Sequence, residues 1–155
     1  MITEASVKWT DGDQFIGVPS SGHGVVIDAD RNRNSGAGPM ELLILGLGGC
    51  TGTDVISILK KKRERVTGLE IKIRGERAPT PPTVYTQIHV HYIVSGMGIK
   101  EKSVHDAIQL SETKYCGAAA MLGKTATISF DYEILEIDPA SMENSEPLPA
   151  QHENK

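Results

Sequence analysis

The chain has 155 residues, with 16 Lys and Arg against 20 Asp and Glu and a formal net charge of −4. That length suits one domain with a single core, and the acidic balance argues against general nucleic-acid binding, which needs a basic face. The opening Met1-Ile2-Thr3-Glu4-Ala5-Ser6 has no charged stretch leading into an apolar run, so no secretory signal is read there and the cytoplasm is the expected compartment.

The first third reads as β. Ala5–Trp9 alternates, Asp11-Gly12-Asp13 turns, Gln14–Val18 returns, Ser20–Gly24 turns again, and Val25–Ala29 makes a third strand. Short strands separated by Gly, Asp and Ser clusters predict a meander. A polar loop, Asp30–Gly38, carries Arg31 and Arg33. Pro39 then suits a first helical turn, with Glu41 near the positive end of the dipole.

Leu42–Leu59 is the longest apolar stretch, 18 residues interrupted by Asp54 and by Gly46, Gly48, Gly49 and Gly52. The length is marginal for a bilayer, and a charge inside a span is costly. A helix buried on nearly all sides of a core is the reading adopted. The glycines suit close helix packing better than a nucleotide loop, because no strand precedes them and no Lys-Ser/Thr pair follows. The basic run Lys60–Arg65 fits the negative end of that helix, with a patch for an acidic partner as the sharper alternative. Gly68 is expected to mark the exit.

Leu69–Glu76 alternates as a half-buried strand. Ala78–Thr83, with three prolines, forms a loop, and Val84–Val94 alternates again, so these two strands are expected to pair. Ser95–Gly98 turns the chain. Lys100–Tyr115 predicts an amphipathic helix with Val104, Ala107, Ile108 and Leu110 inward, Gly117–Leu122 a short helix, and Thr125–Ile137 a last strand. The folded domain is therefore expected over 1–137, and the polar stretch 138–155 is read as a disordered tail.

Two cysteines, Cys50 and Cys116, carry the functional lead. Sixty-five residues separate them, so they form neither a local CxxC pair nor a zinc knuckle. One reading is two small buried hydrophobes. Against it stand the small neighbours Gly48, Gly49, Gly52, Gly117 and Ala118, which leave room at sulfur. Cys116 also falls at the start of a short helix, where the dipole lowers a thiol pKa. Arg31 and Arg33 can fold back toward a Cys50 thiolate. His89 and His91 occupy i, i+2 positions on one strand, a metal-capable spacing that reads better as a surface pair. His23, His105 and His152 are scattered, and none is selected to complete a cysteine hydrolase.

The motifs Gly38-Pro39-Met40-Glu41-Leu42-Leu43 through Gly48-Gly49-Cys50-Thr51, and Tyr115-Cys116-Gly117 through Lys124-Thr125-Ala126, resemble the OsmC/Ohr family of osmotically inducible and organic hydroperoxide resistance proteins over residues 3–137. The resemblance implies an α+β OsmC-like fold, with antiparallel sheets around a long buried central helix, in an intertwined homodimer. It implies thiol peroxidase chemistry in which Cys50 attacks a hydroperoxide and Cys116 condenses with the sulfenic acid, an external dithiol restoring both. No metal or other cofactor, nucleic acid or membrane partner is implied. Hydroperoxidases of that family carry an arginine in the early strand–turn region and a carboxylate directly after the loop proline. Near Asp13-Gln14-Phe15 there is no arginine, leaving Arg31 and Arg33 as stand-ins; Met40 follows the proline, and Glu41 is shifted by one. The candidate site is thus Cys50, Cys116, Glu41, Arg31 and Arg33. The alternative function is a non-catalytic OsmC-like protein that binds a small molecule or sulfur species.

Overall fold

Alternation and turn chemistry place the strands where the sequence predicts them. The computed structural model describes residues 1–138, so the expected tail lies, from residue 139 onward, outside the described residues. The chain divides into two compact units, Met1–Gly49 and Cys50 onward, with the boundary inside the long helix.

In the first unit β1 (Ala5–Asp11), β2 (Gln14–Pro19) and β3 (Val25–Asp28) form an antiparallel meander in that order. Trp9 faces Phe15, and Phe15 faces Ile27, so these side chains share one face, while Ile16 and Val26 share the other. Both faces carry exposed apolar groups: Trp9 is 61% exposed and Ile16 42%. The loop after β3 is tied to buried Asp28. Its carboxylate accepts from Arg33 Nε and Nη2, from Ser35 N and Oγ, and from Asp30 N. These donors, the Arg33 guanidinium first, hold Asp28 far below the ordinary carboxylate range.

The long helix α1 (Pro39–Lys61) begins at a proline, and Glu41 reaches back to accept from Gly38 N at 2.6 Å, the reciprocal half of a capping box. Lys60 and Lys61 close it. The expectation of a helix buried on nearly all sides needs correction within this chain. Leu47, Thr51, Val55 and Leu59, four residues apart, form one fully buried stripe, whereas Leu43 and Leu45 are 46% and 63% exposed. A length and composition sufficient to cross a membrane, with mean hydropathy 1.8, thus belong to a helix that one chain covers along a single line.

In the second unit β4 (Arg65–Arg77) and β5 (Tyr85–Met97) form the expected hairpin across the proline loop. β4 starts before Gly68, which sits at a bulge instead of marking the helix exit. The last turn of α1 is left through Arg63, in the left-handed region at φ 61°. The β6 strand (Thr127–Glu136) pairs with β5 in parallel, which corrects the expectation of purely antiparallel sheets. The physical reason is the connection: α2 (Glu101–Leu110), a π-helical turn (Ser111–Tyr115) and α3 (Gly117–Leu122) form a crossover long enough to return the chain to the same end of the sheet. β5 is central, with Ile88, Val90, Tyr92 and Val94 at most 1% exposed. The C-terminal half of α1 packs closely on this sheet, since a Cβ added at Gly52 would lie 3.1 Å from Ile71 Cδ1.

Candidate functional site

Cys50 and Asp54 are one helical turn apart on α1 and therefore share a face. Cys116 comes from the crossover between β5 and β6. The single helix expected over 100–115 is instead interrupted at Ser111, where the π-helical turn closes with Cys116 N donating to Ser111 O at 2.8 Å. Cys116 then leaves the helical region (φ −73°, ψ 103°) and caps α3, its Sγ accepting from Ala119 N at 3.4 Å. The two sulfur atoms and an Asp54 carboxylate oxygen all lie within 4.8 Å of one another. Both thiols are free, Cys50 half-buried and Cys116 buried. A Cβ added at Gly117 would meet nothing within 4 Å, so the space beside Cys116 is open.

The helix start at Cys116 is where the sequence puts it, but the expected lowering of its pKa does not follow. Burial first, and then the hydrogen-bonding contact with Cys50, push the thiol up to about 12; the Ala119 and Ala118 N–H groups oppose this and are outweighed. Cys116 is therefore a protonated thiol at neutral pH, placed against a more accessible one.

Behind the thiols runs a chain of side-chain hydrogen bonds. Ser111 Oγ donates to Asp54 Oδ2 at 3.0 Å, and Ser111 Oγ meets Thr51 Oγ1 at 2.9 Å. Thr51 Oγ1 meets the Tyr92 hydroxyl at 2.7 Å, and Tyr92 donates to Glu112 Oε1 at 2.8 Å. Thr51, Ser111 and Tyr92 are fully buried. Burial pushes the Tyr92 phenol far up and raises the Glu112 carboxyl. A cleft of about 200 Å³ is lined by Asp54, Ser57, Ile58, Lys61, Leu110 and Tyr115, and Asp54 is the residue it shares with the thiol cluster.

The remaining candidates belong to the first unit and have carboxylate partners there. Arg31 Nη1 donates to Glu41 Oε1 at 3.0 Å, and the Gly38 N–H first, then this contact, lower the Glu41 pKa. Arg33 grips Asp28 and reaches Asp11 through Oδ2 and the backbone carbonyl. Among the described residues these side chains start a helix and lock a loop. His89 and His91 are the surface pair expected, bonded to Ser129, Asp131 and Glu133 on the neighbouring strand.

Asp54, Thr51, Tyr92, Ser111 and Glu112 escape the sequence reading. Two of them leave a trace. Asp54 is the one charge in the apolar run and stands four residues after Cys50, and Tyr92 alternates inward with Ile88 and Val90, where a phenol needs a partner. Ser111 and Glu112 have no such trace, because their placement depends on the π-helical turn.

An α+β fold that brings two distant free thiols together on a central helix and a helix cap defines a thiol-bearing class. The sequence profile of the OsmC-like protein family matches residues 32–131, and the chain belongs to that family. Protein YhfA of Escherichia coli strain K12 is 39% identical over 132 residues, covering 85% of this chain and 98% of YhfA. A hypothetical protein from Aquifex aeolicus VF5 superposes with a TM-score of 0.81 at 29% identity, over 89% of this chain and 99% of its own. The organic hydroperoxide resistance protein OhrB of Bacillus subtilis superposes with a TM-score of 0.61 at 12% identity, over 86% and 98%, a likeness of fold.

Proposed function

We propose that this protein is a cytoplasmic thiol peroxidase that reduces organic hydroperoxides in oxidative-stress defence. The observation that carries the reading is the contact between Cys50 and Cys116, two free thiols far apart in sequence. Cys50, as thiolate, attacks the peroxide O–O bond: an S–O bond forms, O–O breaks, the sulfur gives up two electrons, and the leaving alkoxide takes a proton to depart as alcohol. Cys116 then attacks the Cys50 sulfenic acid. The S–S bond forms, S–O breaks, and the oxygen leaves as water with the Cys116 proton; an external dithiol reduces the disulfide. A buried, protonated Cys116 suits the second role and not the first. The apolar walls of the cleft, Ile58, Leu110 and Tyr115, favour an organic peroxide. Arg31 and Arg33 are engaged by carboxylates, so in this reading Cys50 does not depend on either.

The working form is a homodimer. Leu43 and Leu45 on α1, with Trp9 and Ile16 on opposite faces of the first sheet, are exposed apolar side chains that a partner copy would cover. Gel filtration at the monomer mass would remove this part of the proposal. The function is tested by following cumene hydroperoxide in the presence of a dithiol, with wild type beside Cys50→Ser: wild type consumes it and the variant does not, and equal rates would end the catalytic reading. In that event the non-catalytic binding role stands, supported by the carboxylate-bound arginines.

A further inference from the structure

The buried chain Glu112–Tyr92–Thr51–Ser111–Asp54 has four links, of 2.8, 2.7, 2.9 and 3.0 Å, and each needs one hydrogen. Tyr, Thr and Ser each own one hydroxyl hydrogen, and an ionised carboxylate only accepts. With both carboxyls ionised there are three hydrogens for four links. Tyr92 gives its own to Glu112 and Ser111 gives its own to Asp54. Thr51 can then serve only one neighbour, and two oxygen lone pairs face each other across the remaining gap in a site where Thr51, Ser111 and Tyr92 are sealed from water. One added carboxyl hydrogen removes the conflict: Glu112 donates to Tyr92, Tyr92 to Thr51, Thr51 to Ser111 and Ser111 to Asp54. Reversing every donor gives the equivalent arrangement with the hydrogen on Asp54.

We infer that Glu112, Tyr92, Thr51 and Ser111 are a proton relay that stores one carboxyl hydrogen and passes it through Asp54 to the oxygen leaving the Cys50 reaction. The relay's end lies within 4.8 Å of both sulfur atoms. Half-buried Glu112, whose carboxyl burial favours in the neutral form, is the resting store, and in that state its hydrogen replaces the phenol's as the donor in the 2.8 Å link to Tyr92. When all four hydrogens shift one link, Asp54 becomes the acid and Glu112 the carboxylate. Asp54 then protonates the alkoxide, so charge is conserved at each stage, and Glu112 regains its proton from solvent. At the relay's Asp54 end, Cys50 and Cys116 share its cluster, and Lys61 on α1 and Tyr115 share its cleft. The delivery step rests on the peroxidase reading; the stored hydrogen does not.

Two variants separate these claims. Thr51→Val breaks the chain in its middle, leaving two links and two hydroxyl hydrogens, so nothing further demands a hydrogen on Glu112. The Glu112 carboxyl, followed by NMR of its carbon against pH, then ionises at lower pH than in wild type, although Tyr92 stands between it and Thr51 in the chain. An unchanged midpoint would overturn the relay and leave burial as the whole cause. Glu112→Gln keeps all four hydrogen bonds, because its amide donates to Tyr92, but it has no proton to pass. Its thermal midpoint is retained, while oxidation of Cys50 by cumene hydroperoxide slows by at least about tenfold and loses one ionisation from its pH profile. An unaltered rate and profile would overturn delivery. If wild type consumes no peroxide, the peroxidase reading fails and the Glu112 titration still decides the stored hydrogen.

Discussion

The two units each bury a carboxylate network, and the networks are opposite in kind. Asp28 collects five donors on one carboxylate, with a guanidinium among them, so its charge is fixed and its loop is locked. The chain from Glu112 to Asp54 stretches two carboxyls and three hydroxyls over four links and is one hydrogen short. A surplus of donors makes a structural clamp; a deficit beside two thiols makes a place where a proton moves. Ion pairing alone would have chosen the first unit as the site, and the sulfur atoms choose the second.

The contrast breaks most visibly at the thiols. Cys50→Ser is expected to reduce peroxide consumption to the uncatalysed level in a coupled dithiol assay. With no dithiol added, Cys116→Ser is expected to consume about one equivalent and stop as a trappable sulfenic acid, where wild type stops as the disulfide, since the attacking thiol is intact and the resolving one is gone. Neither substitution should resemble Arg33→Ala, which is expected to loosen the Asp30–Gly36 loop in hydrogen exchange and leave the initial rate of Cys50 oxidation unchanged.

The next effect is on stability. Leu59 is fully buried on the covered stripe of α1, and Leu59→Ala should cost about 2–5 kcal/mol in urea unfolding. Leu45→Ala, on the uncovered side, should cost the single chain little and instead weaken self-association in sedimentation.

The smallest effects are in pH. Asp28 has a depressed folded pKa, so its contribution is present above the unfolded value of 3.8 and is lost as pH falls through the lower folded one. Amides of the loop it clamps should therefore lose protection in acid before those of β5. His91 runs the other way. Asp131 and then Glu133 raise its pKa from 6.5, so its contribution is complete below 6.5 and disappears as pH rises through the folded value. The pair lies on an exposed face, so His91→Gln should flatten a shallow slope in stability above pH 6.5 and do no more.

Much of the fold is legible because alternation and turn residues are local signals. Leu69–Glu76 and Val84–Val94 announce two strands, and the prolines between them announce their loop. The parallel pairing of β6 is not legible, since it depends on where a long crossover returns the chain. The thiols are legible from their small neighbours, but what surrounds them is only partly so. Asp54 could be read from its spacing to Cys50, while Ser111 and Glu112 are delivered by a π-helical turn that no periodicity marks. Glu41 and Arg31 have the right residue types for thiol activation, yet the local demand of an uncapped helix start engages them first.

The central claim is that Cys50 and Cys116 act as one redox pair. The direct measurement is mass spectrometry of the reduced protein after one equivalent of cumene hydroperoxide, with peptide mapping of the product. We expect a chain lighter by two hydrogens, with the Cys50 and Cys116 peptides joined by a disulfide. Recovery of both cysteines as free thiols, or of Cys50 oxidised while Cys116 remains unlinked, would contradict the account.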